Sequence, residues 1–228
     1  MFRRTIDFII WALKWPMAVI MFVMTPALLQ SYNFFDFFTF KFAMLGAGIF
    51  LYFFILFTAG RNICFSMQII SHELTHVFFA LLTLHRVGRV RLNPDDSGGS
   101  MVVKGGGNWL ITLSPYFFPL FAFFYMLIMP SLLEATDGHW LMHVIFGYFI
   151  AYYWATVLSQ VHAQQTDIIK EGYLFSTILI IAGNLYVTGL LFAFNGHLWS
   201  GLVKYTQKVW RLSAGDIQFC LELVRQYI

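Results

Sequence analysis

The sequence predicts an all-α membrane protein: a polytopic bundle of about six transmembrane helices. A short β-hairpin is expected after the third helix and interfacial helices at the C-terminus. Composition is the first reason. Hydrophobic residues make up 59% of the 228-residue chain and charged residues 11%, with 27 Phe, whereas a soluble domain carries roughly 25% charged residues. Such a chain has too little polar surface to dissolve as a monomer. The second reason is the recurrence of apolar runs of about 18–25 residues, the length that crosses a bilayer. They fall at 6–29, 42–59, 64–84, 109–133, 140–161 and 173–194.

Arg3 and Arg4 precede the first run as they would in a signal peptide. The run is too long for a signal-peptide core and no small-residue cleavage site follows it, so a transmembrane helix is expected, kinked near Lys14 and Pro16. The net charge of +3 comes without a basic block, which argues against nucleic-acid partners. Cys64 and Cys220 are far apart and imply no disulfide framework. Basic residues divide too evenly between alternate loops for the positive-inside rule to orient the chain.

After Asn195 the pattern changes. Lys204, Lys208 and Arg211 recur at helical spacing, with Leu202, Tyr205, Val209 and Leu212 between them. Ser213 to Asp216 reads as a capping box that opens a second short helix. The expected organisation is therefore one membrane domain over 1–197 and an amphipathic tail over 198–228. Lying on the membrane surface and packing on neighbouring helices suit that tail equally well.

The third apolar run contains Ser71-His72-Glu73-Leu74-Thr75-His76, a complete H-E-x-x-H motif. On a helix His72 and His76 stand one turn apart on one face and can grip one Zn²⁺. Glu73 stands beside them, placed to take a proton from a water at the metal. Two His and one Glu within an apolar run are costly in lipid, and a metal supplies the compensating reason. The combination points to a zinc peptidase working inside the bilayer.

The string from Ser71 through Thr83, followed by Arg86-Val87-Gly88-Arg89-Val90 and a glycine-rich stretch, resembles the site-2 protease family of intramembrane zinc metalloproteases, in its short bacterial branch. The likeness covers about 70–120 and, more weakly, 162–184. It implies a multi-helix membrane core, one catalytic zinc, a membrane-protein or peptide substrate cut in or near a transmembrane segment, and a bacterial inner (cell) membrane location.

A catalytic zinc takes three protein ligands and keeps one position open. In that family the third is an Asp on a later segment, usually within L-D-G, which this chain lacks. Asp167, in Gln164-Gln165-Thr166-Asp167-Ile168, resembles the branch's variant motif and is the first choice, with Gln165 or Thr166 as supporting donors. Asp137, in Thr136-Asp137-Gly138, is the rival, although Asp-Gly is also an ordinary turn pair. Glu171, one turn past Asp167, is a third candidate. His85, His139, His143, His162 and His197 read as interfacial or hydrogen-bonded residues, with His162 nearest the ligand segment.

In the connector 85–108, Val87, Val90 and Leu92 and then Met101-Val102-Val103 read as short strands around a turn at 93–99. A free strand edge would hold an unwound substrate in extended form, and Gly105-Gly106-Gly107 would permit a close approach or a hinge. Ser114-Pro115-Tyr116 would break helix hydrogen bonds in the next span. Two other functions suit the same residues: a zinc- or proton-handling transporter, and an inactive scaffold that binds membrane proteins.

Overall fold

The first apolar run folds as two helices, α1 (Phe2–Ala12) and α2 (Lys14–Ser31), which meet at Leu13. Pro16 accounts for the break, because it has no N–H to give to the carbonyl of Ala12, four residues back. The structure, a computed structural model, describes residues 2–58, 61–92, 99–104, 106–137 and 139–227. It continues with α3 (Phe40–Thr58), α4 (Arg61–Leu82), β1 (Arg86–Leu92), β2 (Gly99–Lys104), α5 (Trp109–Leu113), α6 (Leu120–Ala135), α7 (Leu141–Gln160), α8 (Thr166–Glu171) and α9 (Tyr173–Tyr227).

Helix α7 is the central post. Of its membrane-length window 61% is buried, against 22% for α2 and for α3. Its contact with α3 is backbone to backbone. A Cβ on Gly147 would lie 2.0 Å from the Leu45 carbonyl oxygen, and one on Gly48 would lie 1.9 Å from that of Val144. Helices in lipid gain from such close approach because small residues let dispersion and weak polar contacts accumulate. Phe146, Ile150 and Tyr153 of α7 then meet Met126 and Met129 of α6 and Phe194 of α9.

Helix α9 is a hairpin of two arms. His197 (φ −136°, ψ 16°) and Leu198 (φ 51°, ψ −139°) leave helical geometry. The arm from 199 onward folds back along the first, so Gly201 lies under the Ala193 carbonyl and Gly189 under the Tyr205 ring. Tyr205 and Val209 are fully buried against Ala182 and Leu28. The returning arm thus packs on its neighbours over this stretch. No second helix opens at Ser213, contrary to the capping-box expectation. The Ser213 hydroxyl instead donates to the Val209 carbonyl at 2.9 Å, within the continuing helix.

The expected count of six spans is met in part. Among the described residues four helices are long and apolar enough to cross a membrane, or five if one bent pair counts as a span. That pair, Trp109–Tyr116 and Leu120–Ala135, bends by 77° where a single span over 109–133 was expected. Pro115 and Pro119 interrupt it. Helix α4 has the length, but Gln68, Ser71, His72, Glu73 and His76 make it too polar to pass.

Strands β1 and β2 pair antiparallel, Arg86 opposite Lys104 and Leu92 opposite Gly99, with an irregularity between Val87 and Val90. The turn residues 93–98, Gly105 and Gly138 lie outside the described residues. Gly106 and Gly107 have φ of 93° and 67°, the left-handed region that favours glycine.

Candidate metal centre

Helix α4 turns its polar face inward. Gln68, Ser71, His72, Thr75 and His76 are buried, while Met67, Leu74, Leu81 and Leu82 are exposed toward the bundle exterior. This inversion suits lipid, where a polar side chain needs protein partners. Gln68 donates to Tyr52 Oη at 3.0 Å and accepts from Ser159 Oγ at 2.9 Å. The Thr75 hydroxyl returns to the Ser71 carbonyl at 2.8 Å.

The two histidines of this face meet a third group. His76 Nε2 lies 3.2 Å from His72 Nε2 and 3.3 Å from Asp167 Oδ2, and His72 Nε2 lies 3.7 Å from the same oxygen. A tetrahedron with metal–ligand bonds of about 2.0–2.1 Å has edges of roughly 3.3 Å. Three ligand atoms are therefore spaced as one zinc would space them. The tautomer agrees. His76 Nδ1 faces the Ile111 carbonyl oxygen at 2.7 Å. A carbonyl only accepts, so Nδ1 carries the proton and neutral His76 presents a bare Nε2 lone pair to the other two groups. An imidazole lone pair facing a carboxylate requires a cation or a proton between them. The donor set fits a zinc ion.

Asp167 sits in the first turn of α8, a six-residue helix between α7 and α9. Ile168 anchors it among Trp109, Leu113, Tyr116 and Phe175. Lys170 Nζ donates to Thr112 Oγ1 at 3.3 Å, and Gly172 (φ 91°) closes the helix. Burial alone would raise the Asp167 carboxyl. With the His72 and His76 rings protonated, in place of a cation between them and the carboxylate, their hydrogen bonds and charge outweigh burial and hold the group well below the usual carboxylate range.

The bend between α5 and α6 brings in a further group. Tyr116 is fully buried, its ring edge-on to His72 at 5.1 Å between centroids, and its hydroxyl donates to Asp167 Oδ2 at 3.2 Å. The bend frees carbonyls that lipid cannot satisfy. Leu120 N–H, the normal partner of the Tyr116 carbonyl, turns instead to Phe118 O at 3.1 Å. Asn184 Nδ2 replaces it at 2.7 Å, and Tyr153 Oη donates to the Phe117 carbonyl at 3.1 Å. Asn184 Oδ1 shares that single hydroxyl proton with the Phe117 carbonyl, which locks the amide.

Glu73 is buried, and its Oε2 finds no hydrogen-bond partner among the described residues; His72 Nδ1 is likewise unpartnered. Beside His72 a cavity of about 10 Å³ is lined by Ser71, Thr75, Tyr152, Tyr153 and Thr156, just enough room for one water. Val87 of β1 and Val103 of β2 pack on Phe79, Ala80 and Ile111. The sheet is thus anchored one turn beyond His76, on the residue whose carbonyl holds that ring.

The other candidates lie elsewhere. Glu171 pairs with Lys14 Nζ at 2.9 Å. Asp137 occupies the exposed turn after α6, in left-handed conformation, and His162 is exposed. Among the described residues, His72, His76 and Asp167 form the group whose ligand atoms converge. The Tyr116 hydroxyl was not foreseen as a partner of Asp167. Only the Ser-Pro-Tyr break signalled that something irregular stands there.

A family model described as Peptidase M50B-like matches residues 45–209. Neither the curated proteins nor the solved structures give a match.

Proposed function

The chain belongs to the Peptidase M50B-like family, the site-2 proteases, and from that premise we propose an intramembrane zinc metalloprotease that hydrolyses a peptide bond in or near a transmembrane segment of a membrane protein. The observation that carries the proposal is the convergence of His72, His76 and Asp167 on one point of a buried, polar helix face. His72 Nε2, His76 Nε2 and Asp167 Oδ2 would hold the zinc, which leaves one position open for chemistry. A bound Zn²⁺ supplies Lewis acidity, which polarises a carbonyl oxygen and makes a water acidic enough to react near neutral pH.

Every other role belongs to this chain's own residues. Glu73, next to His72 and with a free buried oxygen, takes a proton as water adds to the scissile carbonyl carbon. It delivers that proton to the amine nitrogen as the C–N bond breaks. Ile111 fixes the His76 ring through its carbonyl, and Tyr116 fixes Asp167 through its hydroxyl. The outer edge of the β1–β2 pair would hold an unwound substrate as an added strand, stabilising the extended form that exposes its peptide bonds. A bacterial inner membrane is part of the same proposal and rests on the family likeness alone.

The test uses protein purified in detergent, with zinc counted per chain and cleavage followed on a transmembrane peptide. Glu73→Gln should abolish cleavage and leave zinc unchanged. His72→Ala and Asp167→Ala should lose zinc, and Asp137→Ala should keep it. Cleavage retained by Glu73→Gln would remove the mechanism, and a wild type that takes up no zinc would remove the protease reading.

A further inference from the structure

The family match begins at residue 45, so α1 and α2 lie ahead of it. This N-terminal segment nevertheless ties itself by polar contacts to the elements around the candidate centre. Asp7 Oδ1 accepts from Asn108 Nδ2 at 2.9 Å, at the N-cap of α5, and lies 3.3 Å from His85 Nε2, just past the end of α4. The Trp109 indole N–H donates to the Ile10 carbonyl. Lys14 Nζ reaches Glu171 Oε2 at 2.9 Å, with the two side chains only 20% and 10% exposed, and lies 4.9 Å from the centroid of the Phe175 ring.

The last of these contacts acts on α8. A six-residue helix does not hold itself. Gln165 provides no side-chain cap, and the left-handed Gly172 interrupts the chain before α9. The placement of α8 therefore depends on what it touches. Asp167 and Glu171 are one turn apart and share a face, yet they are engaged by different partners: Asp167 by the two histidines, Glu171 by Lys14. We propose that Lys14 is a positioning residue for the metal centre: by pairing with Glu171 it sets the roll and depth of α8, and so the reach of Asp167 toward His72 and His76. The N-terminal segment is then a working part of the site. This inference rests on the reading of His72, His76 and Asp167 as zinc ligands.

A charge swap tests it. Zinc affinity of the full chain in detergent is measured by competition with a chelator, beside the unfolding midpoint of the zinc-free protein. The proteins are wild type, Lys14→Met, Lys14→Glu, Glu171→Lys and the double variant Lys14→Glu/Glu171→Lys. Lys14→Met keeps a long stem beside Phe175 and guards against a misfolded Lys14→Glu. The single variants should bind zinc at least about tenfold more weakly, the scale seen when a group orienting a metal ligand is lost. The double variant should recover most of that affinity. A merely structural pair would lower the zinc-free midpoint and leave the affinity of folded protein unchanged. Affinities of Lys14→Met and Lys14→Glu within twofold of a zinc-binding wild type, or no recovery in the double variant, overturn the proposal alone. A wild type without zinc overturns the ligand reading as well.

Discussion

Replacing Tyr116 by Phe removes one oxygen and nothing else from the candidate centre. The ring is fully buried and lies edge-on to His72, so Phe keeps both the packing and the ring contact. What is lost is the hydroxyl's hydrogen bond to Asp167 Oδ2 at 3.2 Å. A hydrogen bond to a charged group contributes about 1.5–3 kcal/mol. An O–H···O contact is usually closer, near about 2.75 Å, so the lower end applies. About 1.5 kcal/mol corresponds to roughly a tenfold loss of metal affinity. Competition with a chelator in detergent reads that shift directly, and the zinc-free unfolding midpoint, measured beside it, separates it from a general loss of stability. A zinc affinity for Tyr116→Phe within twofold of wild type would refute the reasoning, because the hydroxyl would then not be holding a ligand in place. A lowered midpoint with unchanged affinity would refute it too, by making Tyr116 a packing residue.

Two further outcomes follow from the helix contacts. Gly147→Ala drives a Cβ to 2.0 Å from the Leu45 carbonyl oxygen, so α3 and α7 must separate. The expected loss is about 1–3 kcal/mol, read by unfolding in mixed micelles. Gly46→Ala is the control, since its Cβ would meet nothing within 4 Å, and it should be neutral or gain up to about 1 kcal/mol from helix propensity. Asn184→Ala leaves the Tyr116 carbonyl without its 2.7 Å donor, while the Tyr153 hydroxyl keeps the Phe117 carbonyl as its acceptor. A loss of roughly 1–3 kcal/mol is expected from one buried group deprived of its partner, and Asn184→Ala unfolding like wild type would show that water replaces the amide.

What the sequence displays depends on how local each feature is. His72, Glu73 and His76 were legible because helical spacing alone puts the two rings on one face. The place of Asp167 beside the histidines was reachable only through a resemblance, since nothing in its own stretch of sequence sets it apart from a loop carboxylate. Glu171 and Asp137 looked comparable for that reason. The structure separates the three by placement: one beside the histidines, one on Lys14, one in an exposed turn. The span count is least legible at helices whose length and polarity disagree. The 109–133 run is apolar throughout, yet Pro115 and Pro119 bend it by 77°. The hairpin at His197–Leu198 carried no proline and no glycine at the residue with positive φ, so its fold-back could not be read.

The polarity that excludes α4 from the count of apolar spans is also the reason for the surrounding architecture. A helix carrying Gln68, His72, Glu73 and His76 is stable among lipids only if neighbouring helices supply partners. The neighbours do so with a consistent set of atoms: Tyr52 and Ser159 for Gln68, the Ile111 carbonyl for His76, and Asp167 for both rings. Supplying the Ile111 carbonyl and the Tyr116 hydroxyl from one segment goes with the break between α5 and α6. That break in turn exposes the Tyr116 and Phe117 carbonyls, which Asn184 and Tyr153 satisfy. The remaining unpartnered buried atoms of the motif, His72 Nδ1 and Glu73 Oε2, stand out against this otherwise complete pairing. One lies on a proposed ligand and the other on the proposed base, whose free oxygen keeps an acceptor position for the water it would activate.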